Sequence, residues 1–334
     1  MLRSRRRAIG IALFMILPLI LAACSATGGK KAAQAGSNVV AGHANTKHYT
    51  IAMITHAAAG DTFWDIIRHG ATAAAAKDNI TLRYSNDQDP TKQAALITDA
   101  INSHVDGIAV TDPNPAALCP TIQKAKAAGI PVVMFNAGFA NWQQCGAMEY
   151  FGQDETIAGI AAGQRMAKSS AKHVLCVIQM QGQIQLEERC AGVKQGFGSA
   201  GTMTKLYVNG TDSSAVLSSI TAKLTQDKTI DAVLTLGAQF ALIALQAETS
   251  AHSNAKVYTF DTNAELVGKI KSGAVQWAVD QQPYLQGYES VDSLWLFLTN
   301  GNIIGGGKTT LTGPSFIDAS NVAKVAQYAA QGNR

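Results

Sequence analysis

The chain has 334 residues, 47% of them hydrophobic and 15% charged, which gives enough length for two domains and too much apolar content for a disordered protein. Its formal charge is +4, from 27 Lys and Arg against 23 Asp and Glu. Four of the 27, Arg3, Arg5, Arg6 and Arg7, crowd the start, and without them the basic and acidic residues match at 23 each, which argues against a nucleic-acid-binding surface.

In chain order, the basic start leads into the apolar run IGIALFMILPLILAA and then Cys24. This is the pattern of a secretory signal. The run is short for a spanning helix and is interrupted by Pro18. Leu21-Ala22-Ala23-Cys24 resembles a bacterial lipobox. That resemblance implies cleavage after residues 1–23, a diacylglyceryl group on Cys24 and a lipid anchor in the membrane. Residues 24–48 are mostly Ala, Gly, Ser, Lys and Asn and read as a flexible tether.

From Tyr49 onward, predicted strands alternate with predicted helices. Strands are expected at Tyr49–Ile54, Ile80–Tyr84, Gly107–Val110, Ile130–Phe135 and Tyr150-Phe151. Helices between them are expected at Phe63–Lys77, Thr91–Ser103 and Pro115–Ala128. The alternation then starts again, with strands at Val174–Ile178, Lys205–Val208, Ala232–Leu236, Lys256–Phe260 and Val275–Val279. Their helices are Glu155–Lys168, Leu186–Phe197, Ser213–Gln226, Gln239–Thr249 and Ala264–Ser272. Continuous apolar strands alternating with helices predict an α/β fold with parallel sheets covered on both faces. Two such runs predict two doubly wound, Rossmann-like lobes. In AVDQQPYLQGY (278–288) a strand ends in Asp280, Gln281 and Gln282, and Pro283 opens a helix that returns to the first lobe. A last helix, Val322–Ala330, closes the second.

Four cysteines follow Cys24. Export permits disulfides, and pairing within each lobe gives Cys119–Cys145 and Cys176–Cys190. Buried free thiols are the alternative. No metal site is expected, because no CxxC or Cys/His cluster is present. Gly196 to Gly201 fits GxGxxG but ends a helix instead of following a strand, so it does not predict a dinucleotide site. Gly305-Gly306-Gly307-Lys308-Thr309 lacks the first glycine of a phosphate loop and reads as a turn. No HExxH, GxSxG or catalytic acid–base pair stands out, and no cofactor is expected.

Ligands of open α/β sheets bind beyond the carboxyl ends of the strands. There the chain places His56, Thr111, Asp112, Asn136, Gln153, Gly237, Asp261 and Gln281. Side-chain carboxylates and amides carry two polar atoms that can bridge neighbouring hydroxyls. Phe63 and Trp64 offer flat faces for the C–H side of a carbohydrate. Polar forks beside aromatic plates suit a neutral, hydroxyl-rich ligand.

GDTFW (60–64), DGIAV (106–110), GIPVVMFN (129–136), GQDETIAG (152–159), LEERCAG (186–192), TFD (259–261) and AVDQQPYLQGY resemble the periplasmic sugar-binding proteins of ABC importers. The resemblance is to the ribose-binding type and its simple-sugar branch, and it runs from about Tyr49 to the end. It implies two lobes joined by a three-strand hinge, with the ligand between them. The first lobe would be residues 49–152 plus 283–312, the second 153–282 plus 313–334. It implies stacking by Phe63 and Trp64, hydrogen bonding by Asp261, a hinge role for Gln281, and Arg189 as the arginine of the family's RxxG motif. Ribose binders have Asp-Arg where this chain has Asn136-Ala137, Arg where it has Glu187, and Asn where it has Gly237. These departures leave a pentose, a methylpentose or a sugar alcohol open as the ligand. The expected protein is a lipid-anchored, extracytoplasmic monomer that binds one sugar or polyol and delivers it to an ABC permease. Its rivals are a sensor serving a membrane kinase or chemoreceptor, and a sugar-modifying enzyme. Arg189 and Asp261 are expected to pair when the gap is empty.

Overall fold

A computed structural model of the chain describes residues 44–58 and 60–334. The predicted signal, Cys24 and most of the predicted tether lie outside the described residues. Residues at the end of the predicted tether are bonded to the first lobe: Trp295 Nε1 donates to Thr46 Oγ1 over 3.1 Å, and His48 meets Asn79 and Thr81.

The first winding runs β1 (Tyr49–Thr55), α1 (Thr62–Lys77), β2 (Ile80–Asn86), α2 (Pro90–Asn102), β3 (Gly107–Val110), α3 (Pro115–Ala127), β4 (Val132–Phe135), α4 (Trp142–Cys145) and β5 (Glu149–Gly152). The second runs α5 (Glu155–Ala167), β6 (His173–Ile178), α6 (Ile184–Phe197), β7 (Thr202–Tyr207), α7 (Ser213–Gln226), β8 (Ala232–Thr235), α8 (Ala238–Ser250), β9 (Lys256–Phe260), α9 (Ala264–Lys271) and β10 (Val275–Asp280). Then come α10 (Pro283–Asn300), β11 (Thr310–Leu311), β12 (Ser315–Asp318) and α11 (Val322–Ala330). The strand orders are β11-β5-β4-β3-β1-β2 and β12-β10-β9-β8-β6-β7, so each sheet repeats the same winding. Strands β3, β4 and β8 are buried along their whole length, as expected of parallel strands with helices on both faces.

Helix starts follow the local chemistry. Asp61, Asp89, Asn114, Asp154, Asp212 and Asn263 each accept a backbone N–H of the helix they precede. Pro283 opens α10, where a missing N–H leaves no bond unmade. The sequence did not predict α4, β11 or β12. The last of these is antiparallel to β10, which makes the second sheet mixed where parallel sheets were expected.

Disulfides join Cys119 to Cys145 and Cys176 to Cys190, each within one lobe. Two of the three glycines of the GxGxxG match, Gly196 and Gly201, have a packing role. A Cβ on Gly196 would lie 2.1 Å from Ile160 O on the facing helix α5, and one on Gly201 would lie 2.1 Å from Lys172 O. These contacts require the missing side chain.

Three crossings join the lobes: β5 to α5, β10 to α10 and β11 to β12. Thr312 holds them together. Its N–H donates to Gly152 O over 2.7 Å, its carbonyl accepts Gln282 Nε2 over 2.7 Å, and its hydroxyl oxygen accepts Gln286 Nε2 over 3.1 Å.

Candidate functional site

The strand ends of both sheets face one gap, which holds about 610 Å³ free of protein atoms, counted out to open solvent. The first lobe lines the gap with His56, Phe63, Trp64 and Asn136, and the second with Arg189, Gly237 and Asp261. Gln281, at the hinge, completes the floor.

Asn136 and Asp261 occupy equivalent places in the two windings. Each follows the fourth strand after a phenylalanine, and each has a left-handed backbone, with φ of 63° and 65°. Their N–H groups donate to Phe151 O and Val279 O on the neighbouring strands. Asn and Asp are the non-glycine residues that enter the left-handed region most readily. Here the turn places both polar side chains at the gap. Gln281 connects them: its Nε2 donates to Asp261 Oδ1 over 2.8 Å, and its Oε1 accepts Asn136 Nδ2 over 3.3 Å. Gln286, from the first two turns of α10, donates to the same Gln281 oxygen over 3.0 Å.

Arg189 is fixed from behind. Its Nε and Nη2 donate to Glu155 over 2.6 and 2.9 Å, a bidentate pair with both side chains almost fully buried. Nη1 donates to Leu236 O over 3.2 Å. The expected Arg189–Asp261 pairing is present only as a 3.9 Å approach within the second lobe. Glu155 is the principal partner because its two oxygens match the guanidinium fork. Burial works to lower the pKa of Arg189, but the charge and hydrogen bonds of Glu155 outweigh it and raise it. Burial pushes Asp261 up to about 7, against the pull of Arg189 and Gln281. Burial, and secondarily the charge of Arg189, push His56 down to about 3, so its ring is neutral at pH 7.

Trp64 is 7% exposed, with its ring edge-on to His56 at 4.7 Å between centroids and to Phe63 at 5.3 Å. Across the gap the second lobe contributes Phe240, 4% exposed. A Cβ on Gly237 would meet Phe240 Cδ2 at 3.2 Å, so a larger residue there would press on this ring.

Three residues expected in the gap do not line it. Thr111 lies behind His56, with Oγ1 2.7 Å from Nδ1. Asp112 is buried against the turn at Gly138, and its carboxyl is raised to about 7 by burial. Gln153 turns into the hinge and donates to Glu155 Oε2 over 2.8 Å, which steadies the partner of Arg189. The residues missed include Gln88 before α2, Gln183 and Gln185 at the start of α6, and Gln239 and Phe240 at the start of α8. The available signal was the one that marked Phe63-Trp64, a polar or aromatic residue in the first turn of a helix after a strand.

Two doubly wound lobes sharing a gap lined with amides, aromatic rings and an arginine neutralised from behind define a bilobed ligand-binding protein. The chain belongs to the family described as periplasmic binding protein domain, which matches residues 51–302. Among solved structures, a carbohydrate transporter from Acidothermus cellulolyticus 11B, crystallised in complex with myo-inositol, is 61% identical. The likeness covers 86% of this chain and all of that one, with a TM-score of 0.85. A periplasmic sugar-binding protein of an ABC sugar transporter from Legionella pneumophila is 25% identical over 79% of this chain and 99% of that one, with a TM-score of 0.71. The xylose/arabinose-binding protein of Sulfolobus acidocaldarius is 24% identical over 71% of this chain, and the match spans 63% of that protein's own length.

Proposed function

We propose that this protein captures a neutral ring polyol, a cyclitol of the myo-inositol kind, in the gap between its lobes and delivers it to an ABC permease. It binds without turnover and acts as a monomer held at the outer face of the cell membrane by a lipid on Cys24. The lobes are residues 49–152 plus 283–312 and 153–282 plus 313–334, and strand pairing supports this division.

The observation that carries the reading is the lining itself. Asn136, Gln281 and Asp261 offer paired polar atoms, the charge of Arg189 is matched by Glu155, and Trp64 and Phe240 supply apolar surface from opposite lobes. The protein from A. cellulolyticus crystallised with myo-inositol supports the cyclitol over an aldose. A ligand that touches both lobes favours their closed arrangement by its differential affinity. A thermal-shift screen of cyclitols, pentoses, hexoses and linear polyols tests the reading, because a cleft ligand stabilises the fold by mass action. Myo-inositol should give the largest upward shift. A response to an aldose alone would discard the cyclitol.

Trp64→Ala should weaken binding by tenfold or more, since burial and ring contact are worth roughly 1.5–3 kcal/mol. Unchanged affinity by calorimetry would remove Trp64 from the site.

Binding should also release protons near neutral pH. With its folded pKa raised to about 7, Asp261 contributes stability that is full below its unfolded pKa and is lost as pH rises through the folded one. Ligand hydroxyls donate to the ionised form, so binding pulls the pKa back down and affinity falls below about pH 7. Calorimetry near pH 6.5 in buffers of different ionisation enthalpy reads the released fraction. Identical heats in all buffers would contradict a proton-linked Asp261.

A further inference from the structure

We propose that His56 and Gln185 form a clasp between the lobes, in which His56 carries its proton on Nε2 and donates it to the side-chain oxygen of Gln185, and that this clasp prolongs the closed state. The proposal rests on the closing gap proposed above and adds a positioning role to it.

The tautomer follows from counting hydrogens at Thr111. Its Oγ1 has three close neighbours: His56 N at 3.2 Å, Gln93 Nε2 at 3.3 Å and His56 Nδ1 at 2.7 Å. A hydroxyl has two acceptor lone pairs and one hydrogen. The backbone N–H can only donate, and the Gln93 nitrogen is held on this side because it also donates to Thr111 O over 2.7 Å, so the two fill both lone pairs. The single hydroxyl hydrogen must then point at Nδ1, which accepts it. A neutral imidazole that accepts at Nδ1 carries its hydrogen on Nε2. Trp64 sets the plane of the ring from its edge, at 77°.

His56 Nε2 lies 3.0 Å from the amide of Gln185, which belongs to the first turn of α6 in the second lobe. With the amide nitrogen at that contact, two donors would face each other and Gln185 Oε1 would be buried without a partner. A half-turn of the amide puts the oxygen opposite the imidazole N–H. The same half-turn at Gln183, 3.0 Å away, supplies a second donor to that oxygen.

The clasp is reinforced one residue earlier. Ile184 N, a helix-start donor with no partner in its own helix, donates to Pro113 O of the first lobe over 3.2 Å. Opening the lobes must break both bonds. The His56–Gln185 bond therefore acts on ligand release more than on capture.

The tautomer is read by long-range ¹⁵N–¹H correlation of the imidazole rings in the full chain without ligand, with the His56 signals identified by their loss in His56→Asn. The expected result is a protonated Nε2 and an unprotonated Nδ1; the reverse overturns the proposal. The clasp is read by stopped-flow dissociation of myo-inositol. Gln185→Ala should speed release roughly three- to tenfold, the weight of one neutral hydrogen bond, with association within about twofold of the parent. Gln185→Glu, which keeps an acceptor and loses the N–H, should release at close to the parent rate. An unchanged rate in Gln185→Ala, or Gln185→Glu as fast as Gln185→Ala, overturns the clasp. If myo-inositol does not bind, the cyclitol reading fails, and the ligand-free tautomer alone supports or overturns the clasp.

Discussion

Glu155→Ala should lower the stability of the fold by about 3–5 kcal/mol, the cost of leaving one member of a buried ion pair uncompensated. Both side chains are almost fully buried, and besides Glu155 the guanidinium meets Leu236 O, the Phe260 ring at 4.9 Å and the more distant Asp261 carboxyl. In a chain of this size the loss should lower Tm by roughly 10 °C. The double variant Glu155→Leu/Arg189→Met should recover most of it, because apolar residues of similar volume often replace a buried pair at little cost. Denaturant unfolding of the three proteins checks both statements. A loss below about 1 kcal/mol in the single variant would mean that the pair is wetter than its burial indicates.

Asp261→Ala should act on binding instead. The residue is 3% exposed, faces the gap and is steadied by Gln281. Its two oxygens can accept two neighbouring hydroxyls, and hydrogen bonds to a charged group are worth about 1.5–3 kcal/mol each. Their loss should weaken myo-inositol binding by about a hundredfold or more. Because the folded protein prefers this carboxyl neutral, its removal should cost the fold little. Calorimetry and unfolding on the same variant separate the two effects. A change below about fivefold in affinity would take Asp261 out of the ligand contacts.

The sequence made the two windings legible because their strands are continuous apolar runs and their helices open on caps such as Asp89-Pro90 and Asp154. The strands β11 and β12 carry no such signal. They are two and four residues long, and their pairing is set by partners far away in sequence. At the site, Asn136, Asp261, Gln281 and Trp64 were legible as strand-end and helix-start residues. Which polar residue at a strand end reaches the gap was not. That depends on left-handed turns at Asn136 and Asp261 and on close packing at Gly138 and Gly313. Glu155 read as a helix-start acid, and its hold on Arg189 appears only when α5 and α6 are side by side. Gln183 and Gln185 were missed because they sit past a strand end, in the loop and first turn of α6.

The central claim is that both lobes close on one ring polyol, and a crystal structure of the protein with myo-inositol tests it most directly. The ring should lie against Trp64, with its hydroxyls within hydrogen-bond distance of Asn136, Arg189 and Asp261. A ligand held by one lobe alone, or seated away from those four side chains, would contradict it.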